Sequence, residues 1–285
     1  MIISSHVKLL RPHQWLKNLM LLFPPFLGGV LFQQGMLLRG VIPFASFCCA
    51  SSAAYVYNDL RDRENDALHP EKKCRPLASG AVSSHAAISL IVLLLLLSSA
   101  SALLVSVHFL FFVMLYLLLS LLYSLKLKEF PIIDIFCISA GFLFRLEAGG
   151  EAFGIEISEW LFLSVFLLAL FLSTGKRLHE KRMLGDGSGG HRPALAAYPQ
   201  GFLEGTMYLT GGAVLVTYTM YVINRHSLVY TVPLCCFGLL RFMLRVKSGE
   251  GGDPTESLLR DRQLSIVGVV WTLMIGWAIY GWGGA

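Results

Sequence analysis

The sequence predicts an all-α, polytopic membrane protein whose nine transmembrane helices form one bundle. Three observations predict it. Only 14% of the 285 residues are charged and 55% are hydrophobic, whereas a soluble domain carries roughly a quarter charged residues. Apolar runs of about 20 residues recur, the length that crosses a bilayer as a helix. The runs, such as IVLLLLLSSASALLVSV, do not alternate polar with apolar residues. That excludes the strands of an outer-membrane barrel.

The spans fall at 19–38, 41–58, 85–106, 108–124, 131–149, 159–175, 203–223, 228–244 and 264–282. Each is bounded by charge, Gly, Pro or a short polar cluster, the residues that end apolar helices. The first follows Lys17 and Asn18, and the second ends where Asn58 and Asp59 begin a charged loop. Lys126, Lys128 and Pro131 separate the fourth from the fifth. A charged stretch from Lys176 closes the sixth, and a Gly-rich run at 249–252 precedes the ninth. The opening MIISSHVKLLRPHQWLKN lacks the short apolar core and small-residue cleavage site of a signal peptide. No polar segment is long enough to fold alone, so one domain is expected over residues 1–285.

Lys and Arg set the orientation. Lys8, Arg11 and Lys17, then Arg61, Arg63, Lys72, Lys73 and Arg75, fall on one side. So do Lys126 and Lys128, Lys176, Arg177, Lys181, Arg182 and Arg192, and the bases between Arg241 and Arg262. The other side has Arg39 and Arg225 with Glu151, Glu156 and Glu159. A multi-pass protein of the plasma or inner membrane is expected, with its N-terminus and large charged loops in the cytoplasm. Cys48, Cys49, Cys137, Cys235 and Cys236 fall in apolar spans, where a thiol packs as a small hydrophobe. The net charge of +5 fits both membrane topology and an anionic substrate. No nucleic-acid partner is expected.

Chemistry concentrates in YNDLRDRENDALHPEKKCRPLASG, after the second span. Asp59, Asp62 and Asp66 stand at i, i+3 and i+7, which puts three carboxylates on one helix face. Aligned carboxylates repel unless a cation lies among them. All-oxygen ligation suits Mg²⁺, which takes one or two carboxylates together with phosphate oxygens and water. Asn58 can orient a carboxylate or a ligand. Lys72, Lys73 and Arg75 follow at once, and His69 and Pro70 read as the turn between. Carboxylates for a metal plus cations for phosphate describe a magnesium–diphosphate site. The plainer alternative is a solvated helix end with intrahelical ion pairs.

The N-D-x-x-D-x-x-x-D pattern, followed by a basic loop and R-P-L-A-S-G, resembles the first aspartate-rich motif of the UbiA-type intramembrane prenyltransferase superfamily. The resemblance covers essentially the whole chain and implies nine helices with the active site on the cytoplasmic side. Members usually carry a second aspartate-rich motif after the sixth span. Here that loop reads STGKRLHEKRMLGD, with Lys176, Arg177, Lys181 and Arg182 outnumbering Glu180 and Asp186. Anion binding is favoured there over a second metal. Three segments are similar instead to the decaprenyl-phosphate phosphoribosyltransferase branch: LLRPHQWLKN, YSLKLKEFPIIDIFCISAGFLFRLEAGG and GKRLHEKRMLG.

That resemblance implies transfer of 5-phosphoribose from phosphoribosyl diphosphate (PRPP) to a polyprenyl phosphate, with Mg²⁺ and release of pyrophosphate. Asp59, Asp62 and Asp66 would hold the metal, and Lys72, Lys73 and Arg75 the leaving diphosphate. Lys176, Arg177 and Arg182, ordered by Glu180, are candidates for the donor's 5-phosphate. Lys17 and, less directly, Lys126 are candidates for the lipid phosphate, beside the membrane anchor Trp15. Within the fifth span, Asp134, Arg145 and Glu147 are ionisable, and such residues face polar cavities or pair between helices. Asp134 and Arg145 therefore join the candidate substrate-binding set. Asp253 is expected to cap a short helix from Pro254, with Arg260, Asp261 and Arg262 as a lid. Two alternatives stand beside this: an aromatic prenyltransferase using a prenyl diphosphate, and a transporter with carboxylates at its mouth. Lipid chain length and oligomeric state are not legible.

Overall fold

The computed structural model describes residues 2–68, 72–184, 193–223, 225 and 227–281, which are mostly helical, with no strand among them. His69, Pro70, Asp186 and Arg192 lie outside the described residues. Six helices are long and apolar enough to cross a membrane: Met36–Arg61, Ser84–Val105, Val107–Leu125, Glu159–Met183, Leu228–Lys247 and Arg262–Tyr280. They coincide with six of the nine expected spans. Ile133–Phe153 and Phe202–Val222 are as long but less apolar. The first carries Asp134, Arg145, Glu147 and Glu151, and the second is rich in Thr, Tyr and Gly. The expected first span, 19–38, is not one helix. A 3₁₀ helix, Pro12–Leu22, runs into the short helix Phe23–Leu27. Pro24 and Pro25 stand in the first turn of that short helix, and the left-handed Gly29 and Gly35 then interrupt the chain before Met36.

The chain divides into two compact units. One comprises Met1–Pro24, Phe32–Leu127 and Phe144–Ile155; the other comprises Pro25–Leu31, Lys128–Leu143 and Glu156–Ala285.

In the first unit, small side chains let helices approach. Ser84–Val105 buries Ala87, Leu94, Ser98 and Ala102, a single stripe, while Leu96, Leu97 and Leu104 face outward. Against it, Val41–Arg61 buries Ser46, Ala50 and Ala53. Ser46 Oγ donates to the Ser98 carbonyl at 2.9 Å, and Ser98 Oγ donates to the Ser46 carbonyl at 3.0 Å. Small residues inside and leucines outside is the arrangement of helices packed in lipid. Phe47 packs edge-on against Phe109, with ring centroids 5.8 Å apart. Ser106 alone joins two spans: its extended backbone ends Ser84–Val105, and its hydroxyl caps Val107–Leu125 by accepting the Phe109 N–H at 2.9 Å. Gly149 is required, because a Cβ there would meet the Leu21 carbonyl oxygen at 2.4 Å.

In the second unit, Phe171, Leu203, Met207, Leu239 and Phe242 form the core between Glu159–Leu184, Phe202–Val222 and Val232–Lys247. Gly175 admits the Phe242 ring, whose Cε1 a Cβ would meet at 2.6 Å. Asp253 caps Pro254–Arg260 as expected, accepting the Thr255 and Glu256 N–H groups at 3.0 and 3.3 Å. The expected lid is instead pinned. Asp261 is buried, caps Arg262–Tyr280 through the Leu264 N–H, and pairs with Arg241 at 2.7 Å and Arg245 at 2.9 Å. Those bonds, the Arg241 bond first, hold its carboxyl far below the usual carboxylate range.

Candidate active site

The aspartate helix keeps its register through a break. Val41–Arg61 ends at Asp62, and Arg63–Leu68 follows. The Asp62 N–H still bonds the Asn58 carbonyl at 2.9 Å, and the Asp66 N–H the Asp62 carbonyl at 2.8 Å. Helical spacing therefore brings Asp59 and Asp66 to the same side, and both are buried. Arg75 Nη1 bridges them, 3.0 Å from Asp59 Oδ1 and 2.6 Å from Asp66 Oδ2. Arg11 Nη2 approaches the same Asp59 oxygen at 2.5 Å. Asp62 lies between them, half-buried at the helix end. Ser124 Oγ donates to Asn58 Oδ1 at 3.3 Å.

Arg11 reaches Asp59 because its backbone is left-handed, with φ 53° and ψ 59°, between Ile2–Leu10 and Pro12–Leu22. Its guanidinium lies 5.3 Å from the Tyr55 ring centroid. On the same 3₁₀ helix, Trp15 Nε1 donates to Ser52 Oγ at 3.0 Å, and Lys17 is half-buried. Lys72 and Lys73 form the turn that leads into Arg75, the first half-buried and the second exposed. Lys126 is exposed at the end of Val107–Leu125.

Among the described residues, no three His, Cys, Asp or Glu side chains are gathered to hold a metal by themselves. The donor set nonetheless fits a hard divalent cation. Two carboxylates converge on one cationic group, all donors are oxygen, and Mg²⁺ normally completes its shell with phosphate oxygens and water.

Arg145 is buried in the first unit. Its Nε donates to Asn18 Oδ1 at 2.8 Å, its Nη2 donates to Tyr116 OH at 3.0 Å, and its guanidinium stacks 4.4 Å from the Tyr116 centroid. Asn18 Nδ2 in turn donates to Ser51 Oγ at 3.2 Å. Beside the aspartate helix, a cavity of about 560 Å³ is lined by Ala54, Tyr57, Leu95, Ser99, Phe111 and Met114, among others. Its wall is nearly all apolar. Tyr57 lies two residues before Asp59, about 3 Å along a helix axis.

The second unit holds the basic group. Arg177 is buried and donates Nε–H to Asp134 Oδ2 at 2.6 Å and Nη1–H to Glu180 Oε2 at 2.7 Å. Lys176 points elsewhere, to Asp253 Oδ2 at 2.9 Å. Arg182 bonds Glu204 at 3.1 Å and the Lys247 carbonyl at 2.9 Å. Tyr198, which the sequence reading passed over, donates its hydroxyl to Asp134 Oδ1 at 2.7 Å. Burial and then that carboxylate push the phenol well above its usual range, so it stays a proton donor. No spacing rule ties residue 198 to 134, or residue 11 to 59, so neither contact had a signal in the sequence.

The model of the UbiA prenyltransferase family matches residues 22–267. The chain is 34% identical to decaprenyl-phosphate phosphoribosyltransferase of Corynebacterium glutamicum, over 96% of this chain and 86% of that protein. It is 32% identical to decaprenyl-phosphate phosphoribosyltransferase of Mycolicibacterium smegmatis, over 98% of this chain and 93% of that one. Its fold is similar to that of a UbiA homolog from Archaeoglobus fulgidus bound to DMAPP and Mg²⁺. The TM-score is 0.72 at 22% identity, covering 98% of this chain and 99% of the other.

Proposed function

The chain belongs to the UbiA prenyltransferase family, and from that premise we propose that it transfers 5-phosphoribose from PRPP to a decaprenyl-type polyprenyl phosphate, releasing pyrophosphate with Mg²⁺. It is a multi-pass membrane protein, and the reading places its N-terminus and active site on the cytoplasmic side. The nine-span arrangement goes with that reading. The family match runs through both compact units, which supports one domain over residues 1–285.

Arg177 carries the reading. A buried guanidinium, oriented by two carboxylates, stands where prenyl-transferring relatives would need a second acidic motif. A prenyl diphosphate has one anionic end. PRPP has a diphosphate and a 5-phosphate, so it needs a second cationic group. Arg177, Lys176 and Arg182, with Glu180 positioning Arg177 or meeting ribose hydroxyls, supply it in this reading.

Asp59 and Asp66, with Asp62, would hold the metal, and a bound Mg²⁺ would neutralise charge growing on the leaving diphosphate. Arg75, Lys72 and Lys73 add fixed positive charge to the same group, and Asn58 orients it. C1 of the ribose passes through an oxocarbenium-like state. An oxygen of the lipid phosphate attacks the face opposite the leaving group, so C1 inverts. That nucleophile is ionised at neutral pH, so none of the aspartates is needed as a base. Lys17 and Lys126 are assigned to the lipid phosphate, and the apolar cavity at Tyr57 to its chain. Arg145 positions Asn18 on the helix that carries Lys17.

The test offers purified protein two substrate pairs: labelled PRPP with polyprenyl phosphate, and a prenyl diphosphate with aromatic acceptors. Label entering lipid, lost with EDTA and restored by Mg²⁺, supports the reading. Prenylated aromatic product without lipid labelling overturns it.

A further inference from the structure

Asp134 enters its helix through a strained turn. Ile132, just before Ile133–Phe153, has φ +67°. A β-branched residue in that region is a genuine outlier, and such strain persists only where surrounding contacts hold it. The contact here is Tyr198. The Ile132 N–H donates to its phenolic oxygen at 2.6 Å, and the same hydroxyl donates to Asp134 Oδ1 at 2.7 Å. Tyr198 is itself fixed: it is 2% exposed, its ring stacks on Phe202, and its carbonyl accepts from Lys181 Nζ. The other Asp134 oxygen takes Arg177 Nε–H at 2.6 Å, and Arg177 Nη1–H goes on to Glu180 at 2.7 Å.

We infer that Tyr198 is a positioning residue for anion binding: its hydroxyl ties the strained Ile132 turn to Asp134 and so fixes the guanidinium of Arg177 for the phosphate it receives. This rests on the proposed reading of Arg177 as a donor-phosphate ligand. The chain of bonds runs through one oxygen. Asp134 has two oxygens, and Tyr198 decides which one is left for Arg177. Without the hydroxyl, Asp134 Oδ1 is buried without that partner and the Ile132 turn loses the bond that holds it. The carboxylate then rotates, and the guanidinium with it. A hydrogen bond to a buried charged group is worth enough that the effect should be about tenfold or more.

The test measures transfer from PRPP by the full-length protein and four variants, one of them Ile132→Gly alone. Tyr198→Phe keeps the ring and removes the hydroxyl. Tyr198→Phe with Ile132→Gly also removes the strain, because glycine takes positive φ freely. Tyr218→Phe removes a different buried hydroxyl of the same unit, bonded to Thr231 and Trp271. The expected result is a KM for PRPP raised about tenfold in Tyr198→Phe with kcat changed less than about threefold. Part of that loss should return in the double variant, and Tyr218→Phe should keep the wild-type KM. If Tyr198→Phe does not fold, the double variant compared with Ile132→Gly carries the same comparison. A wild-type KM in Tyr198→Phe, or an equal rise in Tyr218→Phe, overturns the inference. A wild-type protein that transfers no phosphoribose overturns the reading beneath it instead.

Discussion

Arg177 donates its Nε–H to Asp134 Oδ2 at 2.6 Å, with the two side chains 2% and 0% exposed. Removing both charges from solvent costs several kcal/mol per ion before their attraction is counted. A pair of this kind is weak evidence for stability and stronger evidence that an oriented cation is wanted there. Glu180, on the helical turn after Arg177, is 29% exposed and bonds its Nη1. The guanidinium is thus fixed from the inside by Asp134 and from the accessible side by Glu180.

Breaking one side of that pair should cost far more than replacing both. Arg177→Met leaves Asp134 buried and is expected to lose about 3–5 kcal/mol of stability. Arg177→Met with Asp134→Leu should regain most of it and stay inactive. Thermal midpoints in one detergent, with transfer measured in parallel, check both halves.

The acidic group should behave in the opposite way. Asp59→Ala and Asp66→Ala are expected to fold and to lose at least about a hundredfold in turnover, as removal of an electrostatic stabiliser does. Chelation of the wild-type protein should do the same, reversibly. Near-normal Mg²⁺-dependent activity in either variant would remove that carboxylate from the metal.

Lys176 is partly exposed and paired with Asp253 across 2.9 Å. Its loss should change stability by less than about 1 kcal/mol, as for exposed pairs, but raise the KM for PRPP. An unchanged KM in Lys176→Ala would exclude it from the donor site.

Gly149→Ala places a methyl 2.4 Å from the Leu21 carbonyl oxygen, a backbone atom that cannot swing away. A cost of about 1–3 kcal/mol is expected, as for other overpacked interiors. A thermal midpoint within error of wild type would contradict the close approach.

Asp261 gives a pH dependence with a definite sign. Its folded-state pKa is depressed below the unfolded value of about 3.9. Its contribution is therefore fully present above that unfolded value and is lost as pH falls through the lower folded value. Asp261→Asn should lower the thermal midpoint equally at pH 5 and at pH 7, and the gap to wild type should close only in strong acid. A gap that opens only above neutrality would contradict the Arg241–Asp261–Arg245 pinning.

Much of this was legible in the sequence because it is local. Apolar length marks six helices, and spacing at i and i+7 puts Asp59 and Asp66 on one side of a helix that is nearly continuous. Asp253 was readable as a cap because capping acts over three residues. Contacts between distant segments were not readable. Asp134 stood out as an ionisable residue in an apolar span and Arg177 as one of a basic run, but nothing linked positions 43 residues apart. Arg11 meets Asp59 across 48 positions, through a left-handed turn that sequence does not announce. Lys176 and Arg177 look alike in a basic run, and only packing separates the buried one from the one paired with Asp253. The charged run at 260–262 read as a lid because burial of Asp261 depends on Arg241 and Arg245, which lie on another helix.

The central claim is tested most directly by following two labels from one donor. PRPP labelled in the ribose, and separately in the β-phosphate, is given to the purified protein with polyprenyl phosphate and Mg²⁺. The account predicts ribose label in the lipid fraction, β-phosphate label in the aqueous fraction as pyrophosphate, and loss of both movements in Arg177→Met. Label from the β-phosphate entering lipid, or no ribose label in lipid while a prenyl diphosphate is consumed, would contradict it.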